Sequence, residues 1–191
     1  KKGIIQLRDC IIFGDYFSNS DRLPVKIYSF KLFDNKLKTL LTFDNKRHIH
    51  FIQQDILDGS KLFIGTGDKN SESGIYRYDL KTNHLEVVGS GSQKWRAVSL
   101  LQKGKYLYWG SDCPYKQNYI FRFNRENRNL ERVVSIEGPA YYSTINSKGR
   151  MFIATTIEDR SKHKAIIYSS EDGIHWEKVK EWKKDILPEK L

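Results

Sequence analysis

His48 and His50 stand two residues apart in His48-Ile49-His50-Phe51, and 45 residues after His48 stands Gln93, followed by Trp95 and Arg96. On a strand, residues two apart share a face, so the imidazoles could together hydrogen-bond a polyhydroxyl ligand or ligate a metal with Asp68. Two such ligands are weak evidence for metal, and neither a metal nor a cofactor is assigned. Acidic residues recur just after small residues that end apolar runs: Asp15 after Gly14, Asp68 after Gly65-Thr66-Gly67, Asp112 after Gly110-Ser111, and Glu158 closely after Thr155-Thr156. Two of them could divide the work of glycoside hydrolysis, one giving a proton and the other acting as nucleophile or base. Asp is equally an ordinary residue of strand-end turns. Arg96 could clamp an anionic group or pair with Asp68 or Asp112. Trp95, Tyr141 and Tyr142 could stack on a sugar ring or serve as core.

These residues are useful together only if the fold brings them together, and a repeat gives the means. Ile75 and Ile120, Leu85 and Leu130, Gly65 and Gly110, and His50 and Trp95 each stand 45 residues apart. A period in the forties, made of four short apolar runs separated by Gly, Asn, Asp and Lys turns, is the signature of a β-propeller blade. No run lasts long enough for the 3.6-residue periodicity of a helical repeat. The fold class is therefore all-β, a propeller of four recognisable four-stranded blades at about 1–43, 48–88, 93–134 and 139–179, within a single domain over 1–191. Four is the low end of the roughly 4–8 blades that close a ring, so the reading is part of a larger, five- to seven-bladed propeller. A closed four-bladed ring is the alternative, and the tail from Glu181 to Leu191, with Trp182, Ile186 and Leu187, reads as the start of a further strand.

Antiparallel strands put the start of a blade's innermost strand and the end of its second strand at the same end. His48, His50, Gln93, Trp95, Arg96, Tyr141 and Tyr142 fall at the first kind of place, and Asp15, Asp68, Asp112 and Glu158 at the second. All of them are expected to line one pocket at the mouth of the channel.

The composition fits a strand-rich domain: 191 residues are enough for a sizeable core, and 13% are aromatic. With 33 basic and 23 acidic residues the net charge is +10, which would suit a polyanion. The basic residues are spread along the turns rather than blocked, so nucleic acid is a less favoured partner than an acidic glycan. Cys10 and Cys113 lie far apart and indicate neither a disulfide framework nor a zinc knuckle. No apolar run approaches the roughly 20 residues of a membrane span. The chain starts at Lys1 without a methionine, so no compartment is assigned.

Blade four carries Tyr168-Ser169-Ser170-Glu171-Asp172-Gly173-Ile174-His175-Trp176. This stretch resembles an Asp-box, the bacterial neuraminidase (BNR) repeat, with Ser169, Glu171, Gly173 and Trp176 in its places, although the adjacent Asp172 is a second candidate for the acidic position. The ordered set of Gly-Asp-Tyr, His-Ile-His, Gly-Thr-Gly-Asp, Gly-Ser-Gln-Lys-Trp-Arg, Trp-Gly-Ser-Asp and Thr-Thr-Ile-Glu is similar to that of sialidase-like Asp-box propellers, often labelled glycosyl hydrolases. Arg22-Leu23-Pro24 is similar to the Phe-Arg-Ile-Pro element of true sialidases, with Asp21 in place of the aromatic, but no arginine triad follows. The resemblance implies a glycosidase-like hydrolase or a glycan-binding propeller. A non-catalytic protein-interaction propeller is the alternative, since the fold does not fix function. No phosphate loop, Ser-His-Asp order or cysteine nucleophile setting is present.

Overall fold

The computed structural model describes residues 3–158 and 164–184. Its strands form four antiparallel sheets of four, each in sequence order. The first holds β1 (Ile4–Leu7), β2 (Cys10–Gly14), β3 (Val25–Lys31) and β4 (Lys36–Phe43), and the second β5 (His48–Gln54), β6 (Lys61–Gly67), β7 (Gly74–Asp79) and β8 (Leu85–Ser90). The third holds β9 (Leu101–Lys103), β10 (Tyr106–Gly110), β11 (Asn118–Asn124) and β12 (Leu130–Ile136), and the fourth β13 (Ala140–Ile145), β14 (Met151–Thr155), β15 (Lys164–Ser170) and β16 (Glu177–Lys183). Each sheet has the four antiparallel strands expected of a propeller blade. The chain divides into two compact units, residues 1–104 and 105–191.

In the first unit, β5, β6 and β7 are buried on both faces over most of their length. That explains why Leu62-Phe63-Ile64 is an unbroken apolar run rather than an alternating one. Ile12, Val25, Ile27 and Phe43 of the first sheet form one core with Ile49, Ile52, Leu62, Ile64, Tyr76 and Tyr78 of the second. Each fully buried aliphatic side chain there contributes roughly 1.5–3 kcal/mol through its removal from water. The Tyr78 hydroxyl shares its one hydrogen between the Leu40 carbonyl at 3.0 Å and Asn83 Oδ1 at 2.9 Å, the first of these joining the second sheet to β4 of the first.

In the second unit, Trp109 stacks on Phe121 with ring centroids 5.8 Å apart, and Tyr108 lies against Trp176 at 6.5 Å. The turn after β15 is held by Asp172, whose Oδ1 accepts the N–H groups of Ile174 and His175, both at 2.8 Å. Ser170 Oγ accepts the Gly173 N–H at 2.8 Å. Gly173 sits at φ +79° over the Tyr108 ring, where a Cβ would lie 2.3 Å from the tyrosine oxygen. Of the two acidic candidates, Asp172 braces the turn, while Glu171 reaches out to Arg150 at 3.7 Å.

A β-bulge recurs at one place in every outer strand pair. The register shifts between Ile27 and Tyr28, Ile75 and Tyr76, Ile120 and Phe121, and Ile167 and Tyr168. Each shift leaves one aliphatic residue of the partner strand without an opposite number, namely Leu40, Val88, Val133 and Val179.

The expectation that Gln93, Trp95 and Arg96 open the innermost strand of blade three is corrected. Gln93–Trp95 is a 3-10 turn, Arg96 follows it in extended conformation, and β9 begins only at Leu101. Trp95 is anchored against Gly89, where a Cβ would meet its ring at 2.1 Å, and that packing takes the segment off the strand path. Of the tail, Glu181, Trp182 and Lys183 complete β16, and Ile186, Leu187 and Leu191 lie outside the described residues. Cys10 and Cys113 are free thiols. No helix among the described residues is long and apolar enough to cross a membrane.

Candidate functional site

Asp68, at the end of β6, is the point on which six side chains of the first unit converge. The antiparallel register opposes His48 to Gly67, which carries the residue after Gly67 to the start of β5. The same ladder shifts between Ile49 and Phe51, so His50 occupies a bulge, a device that re-aims a side chain. Gly67 makes room for it: a Cβ there would lie 2.2 Å from His50 Cε1.

The result is that both imidazoles face one carboxylate oxygen. His50 Nε2 is 3.2 Å and His48 Nε2 3.7 Å from Asp68 Oδ1, with ring centroids 4.9 Å apart. Arg96 Nη2 reaches the same oxygen at 3.3 Å, and Arg47 Nη1 reaches Oδ2 at 3.1 Å. The backbone is held as firmly, because Gln93 Nε2 and Arg96 Nη1 donate to the Asp68 carbonyl at 2.8 and 3.2 Å. On the other side, Glu72 Oε2 accepts the Asp68 and Lys69 N–H groups at 2.9 and 3.1 Å, while Glu72 Oε1 takes Arg22 Nε at 2.6 Å.

The electrostatics follow from these contacts. Burial opposes the charge of Asp68, but the hydrogen bond with His50 and the positive charge of Arg96, with the two imidazoles beside it, outweigh it and hold the carboxyl well below the usual carboxylate range. Burial, reinforced by His50 and Arg47, pulls His48 down to about 4 against the opposing pull of Asp68, so its ring is neutral at pH 7. Three polar atoms around this centre, Arg47 Nε, Ser92 Oγ and Gln93 Oε1, are buried with no hydrogen-bond partner among the described residues. The Tyr16 ring, largely exposed, lies 4.3 Å from that of His48.

His48, His50, Asp68, Gln93 and Arg96 are thus brought together, and the remaining candidates are placed otherwise. Asp15 is a strand brace, its Oδ2 accepting the Lys26 N–H at 2.8 Å. Trp95 is buried against Gly89. Tyr141, Tyr142, Asp112 and Glu158 belong to the second unit: Asp112 is buried, Glu158 exposed, Tyr141 half-buried and Tyr142 exposed, with the two tyrosine rings edge to face at 6.4 Å. Arg47 and Glu72 escaped the sequence reading, and Arg22 entered it only within Arg22-Leu23-Pro24, not as a residue of this cluster. Arg47 adjoins His48 and Glu72 follows Asp68 by four residues, the one local hint, whereas the Arg22–Glu72 pair spans 50 residues of chain.

No protein-family model and no curated protein sequence matches the chain. Solved structures do. TolB from Acinetobacter baumannii superposes with a TM-score of 0.59 at 14% identity, over 90% of this chain and 40% of that one. An oligogalacturonate lyase in complex with manganese gives 0.61 at 9%, over 90% and 50%. The GH74 xyloglucanase from Xanthomonas campestris gives 0.63 at 11%, over 89% and 28%. The chain therefore spans half or less of the length of each. At these identities the likeness carries the fold alone, and that fold is the β-propeller.

Proposed function

We propose that the chain is a carbohydrate-recognising propeller, and that the end of the second blade around Asp68 binds an acidic or polyhydroxyl glycan. The observation that carries this reading is an exposed aromatic ring, Tyr16, lying beside His48 at the blade end where Arg47 and Arg96 converge, with three partnerless polar atoms in the same segments. Arg47 Nε can donate, Gln93 Oε1 can accept, and Ser92 Oγ can do both, which is the mixed demand that sugar hydroxyls satisfy. Buried polar atoms are ordinarily paired, so a ligand that draws these side chains outward would supply partners that the described residues do not. Tyr16 offers a ring face for stacking, and the Arg47 and Arg96 guanidiniums favour a carboxylated sugar. Two of the structural neighbours carry names that refer to glycans, which supports the class and not the substrate. The turn from Ser170 to Trp176, with Asp172 as its acidic member, is read as an Asp-box-type turn with an architectural role.

The reading is recognition rather than hydrolysis by this cluster. Asp68, ionised and shared among two arginines and two histidines, has no proton to give as a general acid, and Asp15 is committed to the Lys26 N–H. Asp112 and Glu158 are the carboxylates left for acid–base work in the second unit. The test is calorimetric titration of acidic and neutral oligosaccharides into wild type, Tyr16→Ala and Arg96→Ala, with product analysis for cleavage. The acidic class should bind, Arg96→Ala should abolish its preference, and Tyr16→Ala should weaken it up to about tenfold. Binding that neither substitution changes, or no binding by any class, would overturn the reading.

A further inference from the structure

The hydrogen bonds of His50 carry a consequence independent of any glycan. Its Nδ1 lies 3.0 Å from the Ala97 carbonyl oxygen. A carbonyl only accepts, so Nδ1 is the nitrogen that bears the hydrogen. In the neutral ring Nε2 is then a bare lone pair, and it faces Asp68 Oδ1 at 3.2 Å. An ionised carboxylate also only accepts, so a cation must lie between these two atoms: either a second proton on the ring or a metal ion. A histidine whose other nitrogen donates to a backbone carbonyl is the usual arrangement behind a metal-binding imidazole, because the carbonyl fixes the tautomer and the ring plane.

The third donor distinguishes the two cations. A proton between His50 and Asp68 gives His48 no part, yet His48 Nε2 is turned to the same oxygen at 3.7 Å, and the three donor atoms all lie within 4.8 Å of one another. Ligands about 2.0–2.1 Å from a tetrahedral zinc ion stand about 3.4 Å apart; the two nitrogen–oxygen separations bracket that figure, and the two imidazole nitrogens, within 4.8 Å of each other, close toward it by a small rotation of the His48 ring when the ion binds. We infer that His48 Nε2, His50 Nε2 and Asp68 Oδ1 form a three-ligand site for a divalent first-row transition ion of the zinc class, with a coordination position left open. Three protein ligands and one open position is the pattern of a reactive rather than a closed structural zinc site. Arg47 stays on the second carboxylate oxygen and Arg96 Nη1 on the Asp68 carbonyl, while Arg96 Nη2 gives up its contact with Oδ1 to the ion.

The experiment is titration of the metal-free full chain with Zn2+ and with Co2+, followed by calorimetry and by the visible bands of tetrahedral Co2+. One ion per chain is expected, and His48→Ala and Asp68→Asn should each weaken it at least about 100-fold, the upper end of what losing even an outer-shell partner costs. His175→Ala, which removes an exposed imidazole paired with Asp172, should leave binding unchanged. If the substitutions disturb folding, wild type alone decides: of the five histidines in the chain, Zn2+ should shift the imidazole nitrogen resonances of two only. Failure to bind one equivalent, equal binding by the variants, or shifts spread over all five rings would overturn the inference.

Discussion

Replacing Glu72 by Gln keeps the shape of the side chain and removes its charge, which isolates what that charge does. The carboxylate is almost wholly buried and receives three donors: Arg22 Nε at 2.6 Å on one oxygen, and the Asp68 and Lys69 N–H groups on the other. A hydrogen bond to a charged group contributes about 1.5–3 kcal/mol, and removing one member of a buried ion pair costs about 3–5 kcal/mol. Arg22 retains some solvent and two backbone acceptors, the carbonyls of Asn19 and Ser20, so it is not stranded. Gln can still accept with its oxygen, and the net loss should be about 2–3 kcal/mol. At roughly 2–4 °C per kcal/mol for a chain of this size, the thermal midpoint followed by circular dichroism should fall by about 4–12 °C. Because Glu72 holds the backbone that presents Asp68, the amides of Asp68 and Lys69 should also exchange with solvent faster than in wild type, while those of the turn at Asp172, in the other unit, should not change. A midpoint within about 1 °C of wild type, or unchanged exchange at both amides, would refute the claim that Glu72 positions Asp68.

Gly67→Ala puts a Cβ into the ring of His50; it should cost about 1–3 kcal/mol as an overpacking defect in a urea melt, and should weaken any ligand of the Asp68 cluster. Tyr78→Phe removes the bridge from the second sheet to the Leu40 carbonyl and Asn83, and a loss of about 1 kcal/mol is expected in the same melt. Asp172 is held below the ordinary carboxylate range by its hydrogen bonds with the His175 side chain and with the His175 and Ile174 N–H groups. A folded value depressed below the unfolded one gives stability that is present above the unfolded value, near 3.9, and is lost as pH falls through the folded value. The stability gap between wild type and Asp172→Asn should therefore be open at pH 7 and close in strong acid; a gap independent of pH would contradict this.

The blades were legible because their outer halves repeat. Ile75 with Ile120 and Leu85 with Leu130 mark strands that lie at matching places in their sheets, and a periodic pattern of turns and apolar runs is a local signal. The second strands keep that register too, Gly65 opposite Ile75 and Gly110 opposite Ile120, but the innermost strands do not. His48 opens a seven-residue strand, whereas the residue 45 positions later, Gln93, opens a 3-10 turn, and the strand that follows it has three residues. Burial of Trp95 against Gly89 decides that difference, and it is a tertiary contact that no periodicity reports. The cluster was partly legible for the same reason: the turn-end position of Asp68 and the His-x-His spacing are local, but the Glu72–Arg22 support depends on a contact across 50 residues. Asp15 shows the opposite failure, since its turn-end position resembles that of Asp68 while its carboxylate is spent on a backbone N–H.

The recurrent bulge between Ile and Tyr or Phe bears on how these blades can be compared and recombined. A strand has a period of two, so one supernumerary residue inverts its phase, and whatever faces one side before Leu40, Val88, Val133 or Val179 is matched to the other side after it. An outer hairpin can be exchanged between blades, or averaged into a consensus repeat, only as a whole unit that includes this residue. A junction or an alignment gap placed inside it would turn half of the hairpin inside out while leaving its length and composition unchanged.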